Sequence, residues 1–199
     1  MLGLFINTFI KFFFLLTPFF LLTTFLSMTK EMDGPKKRRI ALKSTLAIVA
    51  VCLVLFFIGN RIFEVFGITL NSFRIGTGIL LLISAATLVL GPKSEQVQGQ
   101  SDDIAVVPLA IPVAVGPATT GALLVMGGEL SRAGDILVAI AAIVSSVICV
   151  GLFMYVSGAI ERVLKKQGLT ILSKVTGLIL AALASQMIMT GVMGFMGKS

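Results

Sequence analysis

The chain has 199 residues, of which 57% are hydrophobic, and a mean hydropathy of +1.06. Its charged residues (16 basic and 9 acidic) cluster between long uncharged runs, so a water-soluble fold would have to bury nearly everything, which a chain of this length cannot do. The net charge of +7 does not point to nucleic acid, because the basic residues sit in short loops beside apolar runs, where they set membrane orientation.

The composition therefore predicts an all-α, polytopic membrane protein. Six runs approach the ~20 apolar residues that a span needs, at 4–28, 40–58, 73–90, 104–126, 136–160 and 171–195. The first lacks an early basic region and a small-x-small cleavage site and carries Lys11, so it reads as a retained helix rather than a signal peptide. Lys11 is expected to snorkel to the outer face. Further along stands Thr17-Pro18. Proline removes a backbone donor and clashes with the carbonyl four residues earlier, so Pro18 is expected to strand the carbonyl of Phe14. Threonine is a good N-cap and proline is favoured at the first helical position, so the pair reads as the start of a new half-helix. The alternative is a simple kink.

The loop that follows carries Lys30, Lys36, Lys37, Arg38, Arg39 and Lys43. After the second run, residues 61–70 read as a short amphipathic connector. The third run contains Gly76 and Thr77-Gly78, whose glycines suit close helix packing. Residues 91–103 (GPKSEQVQGQSDD) are polar and turn-rich and read as a cytoplasmic linker between halves. The fourth run holds Pro108, Pro112 and Gly116-Pro117, followed by Ala118, Thr119 and Thr120. Glycine is an acceptable N-cap, so Gly116-Pro117 reads as a second half-helix start, with the carbonyls of Val113 and Pro108 stranded by Pro117 and Pro112. Behind the fifth run, residues 161–170 form a second connector, and Arg162, Lys165, Lys166 and Lys174 make another basic loop. The sixth run contains Thr176-Gly177, a Gly177, Ala181, Ser185 row of small residues, and Gln186, which is either interhelical glue or a ligand. Cys52 and Cys149 lie inside apolar runs without CxxC spacing and read as packing residues.

Pro18 and Pro117 are 99 residues apart, and the same offset relates Gly59 to Gly158, Leu70 to Leu169 and Thr77-Gly78 to Thr176-Gly177. The chain thus reads as one three-segment unit written twice, 1–90 and 104–199, joined by the linker. Three is odd, so the second copy is expected to be inverted, with broken first helices meeting near the midplane as a solute site. Loop charges place the basic loops and the linker in the cytoplasm and both termini outside. A half-helix N-terminus presents free N–H groups and partial positive charge and can hold a carboxylate. Thr77, Thr119, Thr120 and Thr176 are expected to add hydroxyls.

All nine carboxylates fall in loops or at span ends, and histidine is absent, which argues against a buried proton relay. Such an interior suits a small neutral or zwitterionic solute, with any coupling monovalent cation held by carbonyls and hydroxyls. Neither a Walker A sequence nor a nucleophile–base constellation occurs, so neither an enzyme nor a cofactor is expected.

The stretches FGITLNSFRIGTGILLL, VVPLAIPVAVGPATTG and LSKVTGLILAALASQMIMTG resemble the MarC family of bacterial inner-membrane proteins, over nearly the whole chain. The resemblance implies six spans in the inner membrane and, from some members, transport of small neutral amino acids such as alanine, glycine and serine. The family's Asn-Pro at the first break corresponds to Thr17-Pro18, its Ala-Gly-Pro-Gly to residues 115–118, its Arg-Ile-Ala-Gly-Gly to residues 74–78 and its second arginine to Lys174. The expected partners are a small neutral amino acid, the lipid bilayer, a monovalent cation and a second copy of the chain. A non-transporting assembly or regulatory subunit and a passive channel are the alternatives.

Overall fold

Backbone surrounded by hydrocarbon must satisfy its own N–H and C=O groups, which is why long apolar runs become helices. The computed structural model describes residues 1–90, 109–110 and 114–197. The elements are α1 (Leu2–Leu15), α2 (Pro18–Met28), α3 (Gly34–Phe66), α4 (Leu70–Leu90), α5 (Pro117–Glu129), α6 (Ala133–Tyr155) and α7 (Ser157–Phe195). No strand occurs among the described residues. Four stretches are long and apolar enough to cross a membrane, namely Gly34–Gly59, Leu70–Leu90, Ala133–Tyr155 and Gln167–Phe195. The pair α1 and α2, bent by 41° at its break, counts as a fifth when taken as one broken span. The linker 91–103, Pro108, Pro112 and Val113 lie outside the described residues.

Residues 61–70 do not form a separate connector. Helix α3 runs on to Phe66 and stops at Gly67, whose left-handed conformation (φ 61°, ψ 23°) glycine adopts without steric cost. The second connector is partly realised, because Lys165 (φ 51°, ψ 171°) interrupts α7 just before its spanning part.

Helix α6 gives the direction of the first two elements. Met1 lies against Gly134 at the start of α6. The guanidinium of Arg38, near the start of α3, lies 5.2 Å from the ring centroid of Tyr155 at the end of α6. The α1–α2 pair therefore leads the chain from one end of α6 to the other rather than folding back. The same contact brings the basic start of α3 to the end of α6, where the second basic loop begins.

Helices α4 and α7 pack antiparallel at a glycine on each. A Cβ on Gly78 would stand 3.1 Å from the carbonyl oxygen of Ala184 and 2.6 Å from Ile188 Cγ1. A Cβ on Gly177 would stand 3.0 Å from the carbonyl oxygen of Ala85 and 2.8 Å from Val89 Cγ2. Residues 78, 85 and 89 each precede 177, 184 and 188 by 99, so the two helices offer each other the same surface. Elsewhere α1 and α2 pack on α6 and α7, while α5 packs on α3 and α4. Phe12, Leu16, Phe25, Ile48, Leu123 and Ile143 are fully buried among them. Leu46, Phe57, Ile83, Leu137 and Leu178 point outward as the apolar exterior that lipid requires.

Candidate functional site

The two breaks face each other at the centre of the bundle. At the first, Pro18 opens α2 as the first-position rule predicts. Two details differ from expectation. The carbonyl of Phe14 is not stranded, because it accepts the N–H of Thr17 at 2.9 Å in a tightened final turn. Thr17 does precede α2, but in a left-handed conformation (φ 46°, ψ 60°), and its hydroxyl makes no capping bond. Holding a β-branched residue there costs about 1–3 kcal/mol.

At the second break, the N–H of Val115 reaches back five residues to the carbonyl of Ala110 at 2.9 Å, in a widened turn. Gly116 is extended (φ −81°, ψ −179°), and Pro117 opens α5. Thr119, one turn into α5, donates its hydroxyl to the carbonyl of Leu15 at 3.1 Å. Leu15 is the last residue of α1, so a side chain behind one break closes a main-chain acceptor left open by the other.

Two cavities flank this junction. The larger, about 510 Å³, is lined by Thr17, Phe20 and Thr23 from the first break and by Ala114, Gly116, Pro117, Ala118 and Thr119 from the second. Ser84, Thr87 and Leu88 of α4, with Thr170, Ser173, Lys174 and Leu180 of α7, complete it. The smaller, about 180 Å³, is lined by Asn7 and Lys11 of α1, Arg74 of α4, Ala122, Val125 and Glu129 of α5, and Leu183, Gln186, Met187 and Thr190 of α7. Leu15 and Leu81 line both.

The offset of 99 connects the two linings. Arg74, Leu81, Leu183, Gln186 and Met187 of the smaller cavity correspond to Ser173, Leu180, Ser84, Thr87 and Leu88 of the larger. Leu15 and Ala122 likewise correspond to Ala114 and Thr23. The cavities occupy equivalent places in the two halves but differ in chemistry. The smaller carries three charged side chains, Lys11, Arg74 and Glu129, and the larger has Lys174 with a row of hydroxyls.

Of the residues expected at a site, Thr17, Gly116, Pro117, Ala118 and Thr119 line the larger cavity, and Gln186 lines the smaller. Pro18 is buried and lines neither, and Thr120 is half-buried and lines neither. The hydroxyls of Thr77 and Thr176 are not presented to either cavity. They donate to the carbonyls four residues back, Phe73 at 2.7 Å and Leu172 at 2.9 Å. Gly78 and Gly177 serve the α4–α7 contact.

Sequence reasoning passed over Lys11, Arg74 and Glu129 as a group. Lys11 is half-buried and lines the smaller cavity together with Arg74 and Glu129. Arg74 Nε donates to Glu129 Oε1 at 3.1 Å, its Nη2 bonds the same oxygen, and Nη1 donates to Asn71 Oδ1 at 3.0 Å. The pair ties α4 to α5 at the cavity mouth. The available signal was a lone lysine in an otherwise uncharged run.

The family described as MarC family integral membrane protein matches residues 2–196. The UPF0056 membrane protein MJ1677 of Methanocaldococcus jannaschii is 33% identical over 96% of this chain and 96% of its own length. The UPF0056 membrane protein YhcE of Escherichia coli is 30% identical over 94% of this chain and 90% of its own. A UPF0056 membrane protein of Aquifex aeolicus is 29% identical, covering 94% of this chain and 92% of its own. No solved structure matches the chain.

Proposed function

The chain belongs to the MarC family of integral membrane proteins, and from that premise we propose that it is a secondary transporter of small neutral amino acids that works by alternating access. The observation that carries this reading is the pair of cavities with linings related by the 99-residue offset, which share Leu15 and Leu81. A transporter needs two approaches to one centre that open in turn, and an inverted duplication supplies two equivalent approaches from opposite faces.

In this reading the protein has six spans in two inverted repeats, the fourth span comprising α5 and the residues before it. Two observations support the inversion. Gly78 and Gly177 sit in reciprocal contacts on antiparallel helices, the signature of a two-fold axis across the helix pair. The packing of α1 and α2 on α6 and α7 is mirrored by that of α5 on α3 and α4. The basic start of α3 and the end of α6 share one face, which is the cytoplasmic face of the inner membrane by the positive-inside rule.

The solute would occupy the larger cavity at the breaks. There the N-terminus of α5 at Gly116-Pro117, with the free N–H groups of its first turn, meets the carboxylate, and the hydroxyl of Thr17 supplies a polar contact, while that of Thr23, which donates to the carbonyl of Phe20 at 2.7 Å, can only accept. Rocking one repeat against the other would close one cavity while opening its counterpart. The amino-acid class itself rests on the family resemblance. The test is uptake and counterflow of labelled alanine, glycine and serine in proteoliposomes. Saturable flux with counterflow is expected for at least one of them, and its absence for all three in folded protein would end the substrate reading.

A further inference from the structure

The smaller cavity has a charge arrangement that the transport reading does not use. Lys11 stands roughly 14 Å along α1 from its start, in an otherwise uncharged apolar run. A half-buried lysine in a membrane-spanning helix is costly unless something compensates it. Among the described residues, no hydrogen-bond acceptor or ion-pair partner reaches its ammonium group. The cavity's one carboxylate, Glu129, feels Lys11 through space but is held by Arg74. Among the described residues that line it, two cations face one anion, an excess of one formal positive charge.

We propose that Lys11 is the anchor of a carboxylate-binding site in the smaller cavity, with Arg74 and Gln186 completing it. Arg74 uses three of its five N–H groups on Glu129 and Asn71, leaving two for an incoming oxygen. Gln186 adds an amide at the wall. At about 30 Å³ for each water-sized group, 180 Å³ holds about six such groups, the size of a small amino or carboxylic acid. Where the ligand is an amino acid, Glu129 is the acceptor for its ammonium group. The site deepens the transport reading and rests on it for the solute's class, as a second station on the opposite side of Leu15 and Leu81 from the breaks.

Binding is measured by calorimetry on the full chain in detergent, with L-alanine, propionate and L-alaninol as probes. Alanine or propionate should bind, and alaninol, which lacks the carboxylate, should bind at least tenfold more weakly. Lys11→Met should weaken the carboxylate probe at least tenfold, Lys11→Arg by less than about threefold, and Arg61→Gln on the exposed surface not at all. Glu129→Gln separates the ligand sources: an amino-acid site loses alanine more than propionate, while a simple carboxylate site changes both equally. Should Lys11→Met fail to fold, Gln186→Leu on the wall of the same cavity carries the test, with a severalfold loss of carboxylate binding expected and unchanged binding counting against the site. Equal binding of alaninol and alanine, wild-type affinity in folded Lys11→Met, or no binding of either carboxylate probe would overturn the site. Saturable alanine flux that ignores Lys11→Met would remove this site and leave the transporter. Lys11-dependent binding without flux of any solute would do the reverse.

Discussion

The hydroxyl of Thr119 donates to the main-chain carbonyl of Leu15 at 3.1 Å, across 104 positions of sequence. Both residues are buried, so the bond ties the end of α1 to the first turn of α5 at the wall of the larger cavity. Thr119→Val keeps the shape and removes the donor, leaving a buried carbonyl unpaired at a cost of about 1–3 kcal/mol. Thr119→Ser should retain most of the stability. Unfolding midpoints in detergent measure the difference, and a valine variant as stable as the parent would show that the bond contributes nothing.

Thr17 is held in a left-handed conformation that favours glycine and is tolerated by asparagine. Thr17→Gly should therefore raise stability, by about 1 kcal/mol, and Thr17→Asn by less. Thr17→Val should not, since valine is β-branched too and lacks the hydroxyl. The same unfolding assay decides, and a loss of stability in the glycine variant would refute the strain.

Gly78→Ala and Gly177→Ala should each destabilise the fold by about 1–3 kcal/mol, because the added carbon meets a carbonyl oxygen of the facing helix. The two losses should be similar, as their surroundings are equivalent. Gly76 has nothing within 4 Å of such a carbon. Gly76→Ala should be neutral or gain up to about 1 kcal/mol from helix propensity. Unequal losses at 78 and 177 would count against the equivalence.

Leu81 is 2% exposed and forms part of the wall between the cavities. Leu81→Ala should join them, adding a non-saturable leak to vesicles that otherwise show saturable flux, while lowering stability by about 2–5 kcal/mol. Vesicles of folded variant with no leak would show that the wall lies elsewhere.

Orientation can be read by labelling. With Cys52 and Cys149 replaced by alanine, a cysteine at Lys36 should react with a membrane-impermeant maleimide only from the cytoplasmic side. One at Arg132 should react only from outside. Labelling of both from one side would break the six-span arrangement.

Much of this architecture is legible in the sequence, because hydrocarbon imposes a length and a composition on each helix. Pro18 and Pro117 open new helices where the first-position rule puts them, since a missing N–H costs nothing there. What Thr17 and the threonines of α4 and α7 do is not legible in the same way. A hydroxyl can cap, bond its own helix or face a cavity at little difference in energy, and tertiary packing decides among these. The end of α3 is hard to read for a related reason: residues 61–66 are amphipathic enough for a surface segment, and the helix stops at the left-handed Gly67. The pairing of Arg74 with Glu129 joins residues 55 apart, and no local pattern announces it.

The contact between α4 and α7 also sets the order of assembly. As the chain leaves the ribosome, α4 enters the bilayer well before α7 exists, with the notch at Gly78 filled only by lipid. The first half has no native partner for that surface until the last helix is inserted. Loss of the final helix would therefore leave a groove on α4 unfilled, and a truncated chain should be recognised and degraded by membrane quality control rather than persist as a stable half-protein.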